Sequence, residues 1–403
     1  DHLTNQGGSL TEPGDIINTG LRGVPVASSR ICLVDGKAGK LVYRGYNITE
    51  LAEKATFEEV AYLLLFEHLP PEKELADFKA QLAQKTPLPA QLVAALKTRP
   101  ENALPMDILQ ACVPMLANHD PEAGDLSREK ATDTAIGLIA RFPAIMAAWH
   151  RIRNGLEPLA PKPELSHAAN FLFMLTGETP DPETARFMDT CLVLHAEHSF
   201  NASTFSARQV ASSRAHMYAA AAAGVGSLSG ELHGGANARV MQMLLDIGSM
   251  DRVDNYVETR LKAGEKVMGM GHAVYKTGDP RAAILAPMSR QMGEKTGNLK
   301  WYELGEAVRQ KAAEVFCELK GAEIYPNVDF YSATTYYAMG IPIDLFTPVF
   351  AISRISGWCA HVIEEQFAGA APKPALYRPA SEYVGEYCGP EECEFVPMEK
   401  RPS

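Results

Sequence analysis

From residue 56 onward the sequence reads as one helix-length segment after another, and a single short stretch alternates like a strand. That imbalance restricts the architecture more than any other feature. Thr56 and Glu59 form a capping-box pair ahead of the apolar run 60–66, which Leu69-Pro70-Pro71 stops. Helical lengths follow at 72–85, 90–97, 106–117 and 128–154, with Pro143 expected to kink or split the last. Asp181-Pro182-Glu183 opens the next helix, whose Ala185, Met188, Leu192 and His195 share one face. Others are expected at 208–223, 236–247, 251–262, 281–292, 301–319, 329–339 and 347–367. The exception is 31–43, where Ile31, Leu33, Leu41 and Tyr43 alternate around a turn rich in Gly and Lys, a β-hairpin that supplies nearly all the sheet. The fold class is therefore all-α.

The chain has 403 residues, enough for two domains or one large domain with an inserted lobe. No apolar run approaches the length of a membrane span, so no membrane partner is expected. A net charge of −11 argues against nucleic acid and requires any anionic ligand to meet a local basic patch. Seven scattered cysteines point to a reducing compartment. No signal-peptide pattern stands at Asp1, so a cytoplasmic location is expected.

Polar groups concentrate in a few places. In Gly269-Met-Gly-His-Ala-Val-Tyr-Lys-Thr-Gly-Asp-Pro-Arg281, flexible glycines deliver His272 into a loop. Asp279-Pro280 then starts a helix with Arg281 in its first turn, where a guanidinium is able to fork onto a carboxylate. This is either an anion site with Lys276 as a phosphate-sized cation or a purely structural loop. Gly224, Gly226 and Gly230, and again Gly264, Gly269 and Gly271, suit hinge or site loops. His195 continues an apolar stripe and reads as a core histidine, whereas His198 stands where the helix turns polar. His233 lies at a helix start, whose dipole would keep its ring neutral. Asp329 is either a half-buried general base or a helix N-cap. Arg354 and Arg378 are structural arginines or, with Arg281, a clamp for a dicarboxylate.

Taken together these words are far more specific. Tyr43-Arg-Gly-Tyr46, His195-Ala-Glu-His-Ser-Phe-Asn-Ala-Ser203, Leu232-His-Gly-Gly-Ala-Asn237, the stretch from Gly269 to Arg281, Pro326-Asn-Val-Asp-Phe-Tyr-Ser332, Arg354-x-x-Gly-Trp-x-Ala-His361 and Arg378-Pro-x-x-x-Tyr-Val-Gly385 occur in one order. From about Gly20 onward the chain resembles the citrate synthase family in its shorter bacterial and archaeal form. The resemblance implies a homodimer whose domains comprise residues 1–225 and 332–403 (large) and 226–331 (small and mobile, carrying coenzyme A and catalytic residues). It implies Asp329 as the base on acetyl-CoA, His233 as donor to the thioester oxygen and His272 as donor to the oxaloacetate ketone. His198, Asn201, Arg281 and Arg354 match residues that hold oxaloacetate and citrate, and Arg378 one that reaches the partner's site. Coenzyme A would lie along Val267, Met268, Gly269, Met270 and Gly271, near Lys276 and Asn327. No metal or cofactor is implied, the coenzyme A thioester being a substrate.

The implied reaction is condensation of acetyl-CoA, oxaloacetate and water to citrate. Pro326 to Tyr337 and the Arg378 tail also resemble 2-methylcitrate synthases, which use propionyl-CoA. A citrate-cleaving lyase is disfavoured by the lack of a nucleotide-activating module. A catalytically silent coenzyme A binder is disfavoured because His233, His272 and Asp329 are all filled.

Overall fold

The computed structural model describes residues 20, 21, 23–381 and 395–401, so positions 383–385 of the tail motif lie outside the described residues. The chain falls into two units, Ser29–Leu376 and the terminal segments Asp1–Ser28 with Tyr377–Ser403. In the terminal unit, Met398–Lys400 forms a 3-10 turn and the Arg401 guanidinium lies over the Phe395 ring at 5.5 Å.

The unit Ser29–Leu376 begins with an antiparallel sheet in the order β1 (Cys32–Asp35), β2 (Lys40–Tyr43), β3 (Tyr46–Asn47). Cys32 faces Tyr43 and Asp35 faces Lys40, as the alternation predicts. The Asp35 carboxylate accepts the N–H groups of Lys37 and Ala38, both at 3.0 Å, and so fixes the turn. Arg44 (φ 46°) and Gly45 (φ 93°) turn β2 into β3 with both central residues left-handed, which matches the twist of the strands.

Sixteen α-helices follow among the described residues. The first eight are α1 (Ile48–Lys54), α2 (Phe57–Phe66), α3 (Glu72–Lys85), α4 (Ala90–Leu96), α5 (Pro105–Ala117), α6 (Arg128–Arg153), α7 (His167–Thr176) and α8 (Pro182–His195). The rest are α9 (Ala202–Ser212), α10 (Met217–Leu228), α11 (Ala236–Ile247), α12 (Val253–Lys262), α13 (Pro280–Thr296), α14 (Leu299–Lys320), α15 (Val328–Ala338) and α16 (Phe346–Gln366). The all-α class holds. None of these helices is long and apolar enough to cross a membrane. Nearly all of α16 is buried, and it packs against α2, α6, α8, α9 and α10. A helix enclosed on all sides is the axis of the core.

Three local expectations are corrected. The segment 208–223 is not one helix: α9 ends at Ser212, Arg214 takes φ 64°, and the His216 ring accepts the Ala219 N–H to start α10. Pro143 does not split α6, which stays one helix because its middle, Thr134 to Trp149, is buried against α3, α5, α7 and α16. Gly224 and Gly226 do not break the chain; both lie inside α10. A Cβ on Gly224 would stand 2.9 Å from the Trp358 ring, so this glycine admits a neighbouring helix rather than a hinge. The sequence reading also missed α1 and α7.

Candidate active site

Helix ends, not helix middles, deliver most of the site. The loop after α8, the turn before α11, the loop before α13 and the first turn of α15 meet the inner face of α16 around a cavity of about 530 Å³. His198, Asn201, His233, His272, Arg281, Asp329 and Arg354 all line it, together with Val34 and Phe350.

The hydrogen bonds decide which nitrogen of each catalytic candidate carries the proton. The Nδ1 atom of His272 accepts the N–H groups of Val274 (3.0 Å) and Tyr275 (3.2 Å), which leaves Nε2–H as a donor. In His233 the order is reversed. Its Nε2 accepts the Ser203 N–H at 3.2 Å and lies 2.7 Å from the Ser203 hydroxyl, so Nδ1 carries the proton. Burial, aided by Arg281 at His272 and by Arg354 at His233, lowers both pKa values to about 4. Both rings are neutral donors at pH 7.

Asp329 is the second residue of α15, and the N-cap role falls to Asn327, whose side chain accepts the Asp329 N–H at 3.0 Å. That frees the Asp329 carboxylate to face the cavity. Burial raises its pKa to about 6 against the opposing pull of Arg281, which gives a carboxylate basic enough to remove a proton yet ionised at pH 7.

The two cavity arginines are buried. Arg281 forks onto Asp279, with Nε–Oδ1 at 3.0 Å and Nη2–Oδ2 at 2.8 Å. Asp279 also accepts the Val328 N–H at 3.0 Å and so ties the starts of α13 and α15 together. The sequence shows Asp279 only as a cap; that its carboxylate takes the Arg281 fork appears only in the folded chain. Arg354 gives its Nε to the His195 carbonyl (2.8 Å) and lies over the Phe350 ring at 4.7 Å. His198 places Nε2 at 3.1 Å from the Tyr275 hydroxyl, and burial followed by Arg281 holds it well below the usual histidine range. Tyr275 also escaped the sequence reading. His195 is the core histidine expected, fully buried, with Nδ1 donating to the Cys191 carbonyl at 2.8 Å.

Asn201 lines the cavity and also caps α9, its Oδ1 accepting the Thr204 N–H and the Ser203 hydroxyl. The remaining candidates stand elsewhere. Val267, Met268, Gly269, Met270 and Gly271 do not line the cavity; Gly269 and Gly271 are zipped to the strand-like segment before α15. The Gly271 N–H donates to the Tyr325 carbonyl (2.7 Å), the Asn327 N–H to the Gly269 carbonyl (2.9 Å) and Asn327 Nδ2 to the Gly271 carbonyl (2.9 Å). Gly269 takes φ 76°, and a Cβ there would stand 2.7 Å from Val240 and 2.8 Å from Phe330. Lys276 lines a second hollow of about 310 Å³ with Gly271, Tyr325 and Pro326, and His272 lines both hollows. Arg378 is exposed and belongs to the terminal unit.

A neutral-histidine pair, a raised carboxyl and two buried cations around one cavity are a set able to move protons on an anionic carbonyl compound. The family model for the C-terminal domain of citrate synthase matches residues 20–380. A citrate synthase of Haloferax volcanii is 43% identical over 390 residues, covering 96% of this chain and 99% of its own. A citrate/2-methylcitrate synthase of Bacillus subtilis is 39% identical, with 92% and 96% covered. The citrate synthase of Thermoplasma acidophilum, solved as a ternary complex with carboxymethyl coenzyme A and oxaloacetate, superposes with a TM-score of 0.87 at 31% identity, covering 96% of this chain and all of that one. The chain belongs to the citrate synthase family. It is an enzyme that transfers acyl groups.

Proposed function

We propose that the chain condenses acetyl-CoA with oxaloacetate and water to give citrate and free coenzyme A. The observation that carries this reading is the arrangement of Asp329, His233 and His272 around one cavity floored by Arg281 and Arg354. Asp329 removes a proton from the acetyl methyl while His233 Nδ1–H donates to the thioester oxygen on which charge develops. One such donor contributes roughly 3–4 kcal/mol to the transition state. The enol carbon attacks the oxaloacetate ketone, whose oxygen His272 Nε2–H polarises, and forms citryl-CoA. Water then cleaves that thioester, which releases citrate and the thiol. Arg281 and Arg354 pair with the carboxylates of oxaloacetate, and His198 holds the same substrate.

We assign coenzyme A to the hollow beside Val267–Gly271, where Lys276 offers the cation its phosphates need. Residues 226–331 act as the small domain that closes over both substrates, since water admitted early would compete for the intermediate. Two chains form the catalytic unit, Arg378 of each serving the other's site, and the enzyme works in the cytoplasm. The Bacillus subtilis relative's double name keeps propionyl-CoA in view as an alternative substrate, because one methylene changes discrimination by only about 1–3 kcal/mol. Thiol release with oxaloacetate and each thioester tests the assignment: an acetyl-CoA preference of about tenfold or more in kcat/KM supports it, and a propionyl-CoA preference moves it to 2-methylcitrate.

A further inference from the structure

The word Arg354-x-x-Gly-Trp-x-Ala-His361 is only partly absorbed by the chemistry above, since Arg354 alone touches the cavity. On α16 the spacing 354, 357, 358 and 361 puts these residues on one face. Each grips a different part of the site. Arg354 holds the His195 carbonyl. Gly357 leaves room where a Cβ would run into the Ala196 carbonyl and the Glu197 carboxylate. Trp358 donates its Nε1–H to the Ser203 hydroxyl at 3.1 Å, the group that abuts His233.

His361 has the least obvious purpose. It is fully buried, with Nδ1 at 2.9 Å from a guanidinium nitrogen of Arg208. A guanidinium only donates, so Nδ1 accepts and Nε2 carries the proton. That Nε2–H points at Oε1 of Glu197, also fully buried, at 2.9 Å. The same Oε1 accepts the Ser199 N–H at 2.6 Å. Ser199 has φ 54°, a conformation costly for a residue with a Cβ, and it directly follows His198.

We infer that His361 and Glu197 form a buried positioning pair that holds the left-handed Ser199 turn and thereby aims His198 at the oxaloacetate. Arg208 fixes the tautomer of the pair. Neither residue touches substrate; both act through His198. The inference rests on the reaction proposed above.

Glu197→Asp keeps the charge but shortens the reach, and so withdraws the shared oxygen from both donors. The expected result is a rise in KM for oxaloacetate of about tenfold to a hundredfold, because a displacement near 1 Å has effects of that size. KM for acetyl-CoA at saturating oxaloacetate stays within about threefold of the parent value, an expectation that follows from where His198 sits. Glu197→Gln keeps one acceptor oxygen at full reach and restores the oxaloacetate KM to within a few-fold. A wild-type KM in Glu197→Asp, equal losses for both substrates, or no recovery in Glu197→Gln overturns the inference. If Glu197→Asp does not fold, His361→Gln is read the same way, with a selective oxaloacetate effect expected and a uniform or absent one contrary. Thiol release by the unmodified enzyme is measured first. No release there brings down the proposed reaction and the inference with it, whereas release with an unselective variant brings down the inference alone.

Discussion

At the scale of single residues, the site works because burial sets protonation states that water would not. Asp329 stands at about 6 and the two donor histidines at about 4, so a single ionisation governs the acid side of activity. If Asp329 is the base, as proposed, it acts only when ionised, and kcat/KM is expected to fall about tenfold per pH unit below roughly pH 6. A pH profile checks this; an acid limb near pH 4, the value expected for an unburied carboxyl, contradicts it. Asp329→Asn keeps the size and removes the base, with an expected loss of about 10²–10⁴ in kcat. His233→Ala removes the donor proposed for the developing oxyanion and is expected to lower kcat by about 10²–10³, measured at saturating substrates. The sequence singles out the histidines that the fold brings to the cavity, His198, His233 and His272, but not their tautomers. Those depend on backbone N–H groups of Val274, Tyr275 and Ser203, which only the folded chain brings to the rings.

At the scale of elements, cap chemistry was the most readable signal. Thr56 with Glu59, and Asp181 with Pro182, start α2 and α8 where local side-chain hydrogen bonds require it. The end of α9 was unreadable because Arg214 and His216 are neither a usual stop nor a usual cap. Gly224 and Gly226 misled for a related reason: glycine in sequence suggests a break, while here Gly224 admits Trp358 of α16 into contact with α10. The same holds for Gly357 against the Ala196 carbonyl. Gly357→Ala is therefore expected to destabilise the fold by about 1–3 kcal/mol through overpacking, measured by urea denaturation. A neutral effect would mean that α16 does not pack on the loop after α8 as described.

At the scale of the whole molecule, the all-α class and the family were legible because ordered words survive where single residues are ambiguous. How the pieces share charge was not. Six histidines, His150, His167, His195, His198, His233 and His272, are pushed below the usual value, in each case chiefly by burial. A base whose folded pKa is depressed takes up its proton on unfolding, so its contribution to stability is lost as pH falls through the unfolded value near 6.5. Two buried carboxyls, Asp189 at about 7 and Asp329 at about 6, act in the opposite direction. Six buried rings outweigh these two and the exposed His68, which its hydrogen bond to Glu74 raises, and the melting temperature is expected to drop between pH 7 and pH 5. Thermal unfolding across that range checks it; a flat or rising trend contradicts the account of neutral buried rings.

The central claim is that Asp329, poised by burial over two buried arginines, enolises an acyl-CoA for attack on oxaloacetate. Free-thiol release with oxaloacetate, comparing acetyl-CoA with propionyl-CoA in kcat/KM for the parent chain and for Asp329→Asn, tests it most directly. The account predicts release by the parent with a preference for acetyl-CoA of about tenfold or more, and almost none by the variant. Release undiminished in Asp329→Asn, or none in the parent, would contradict it.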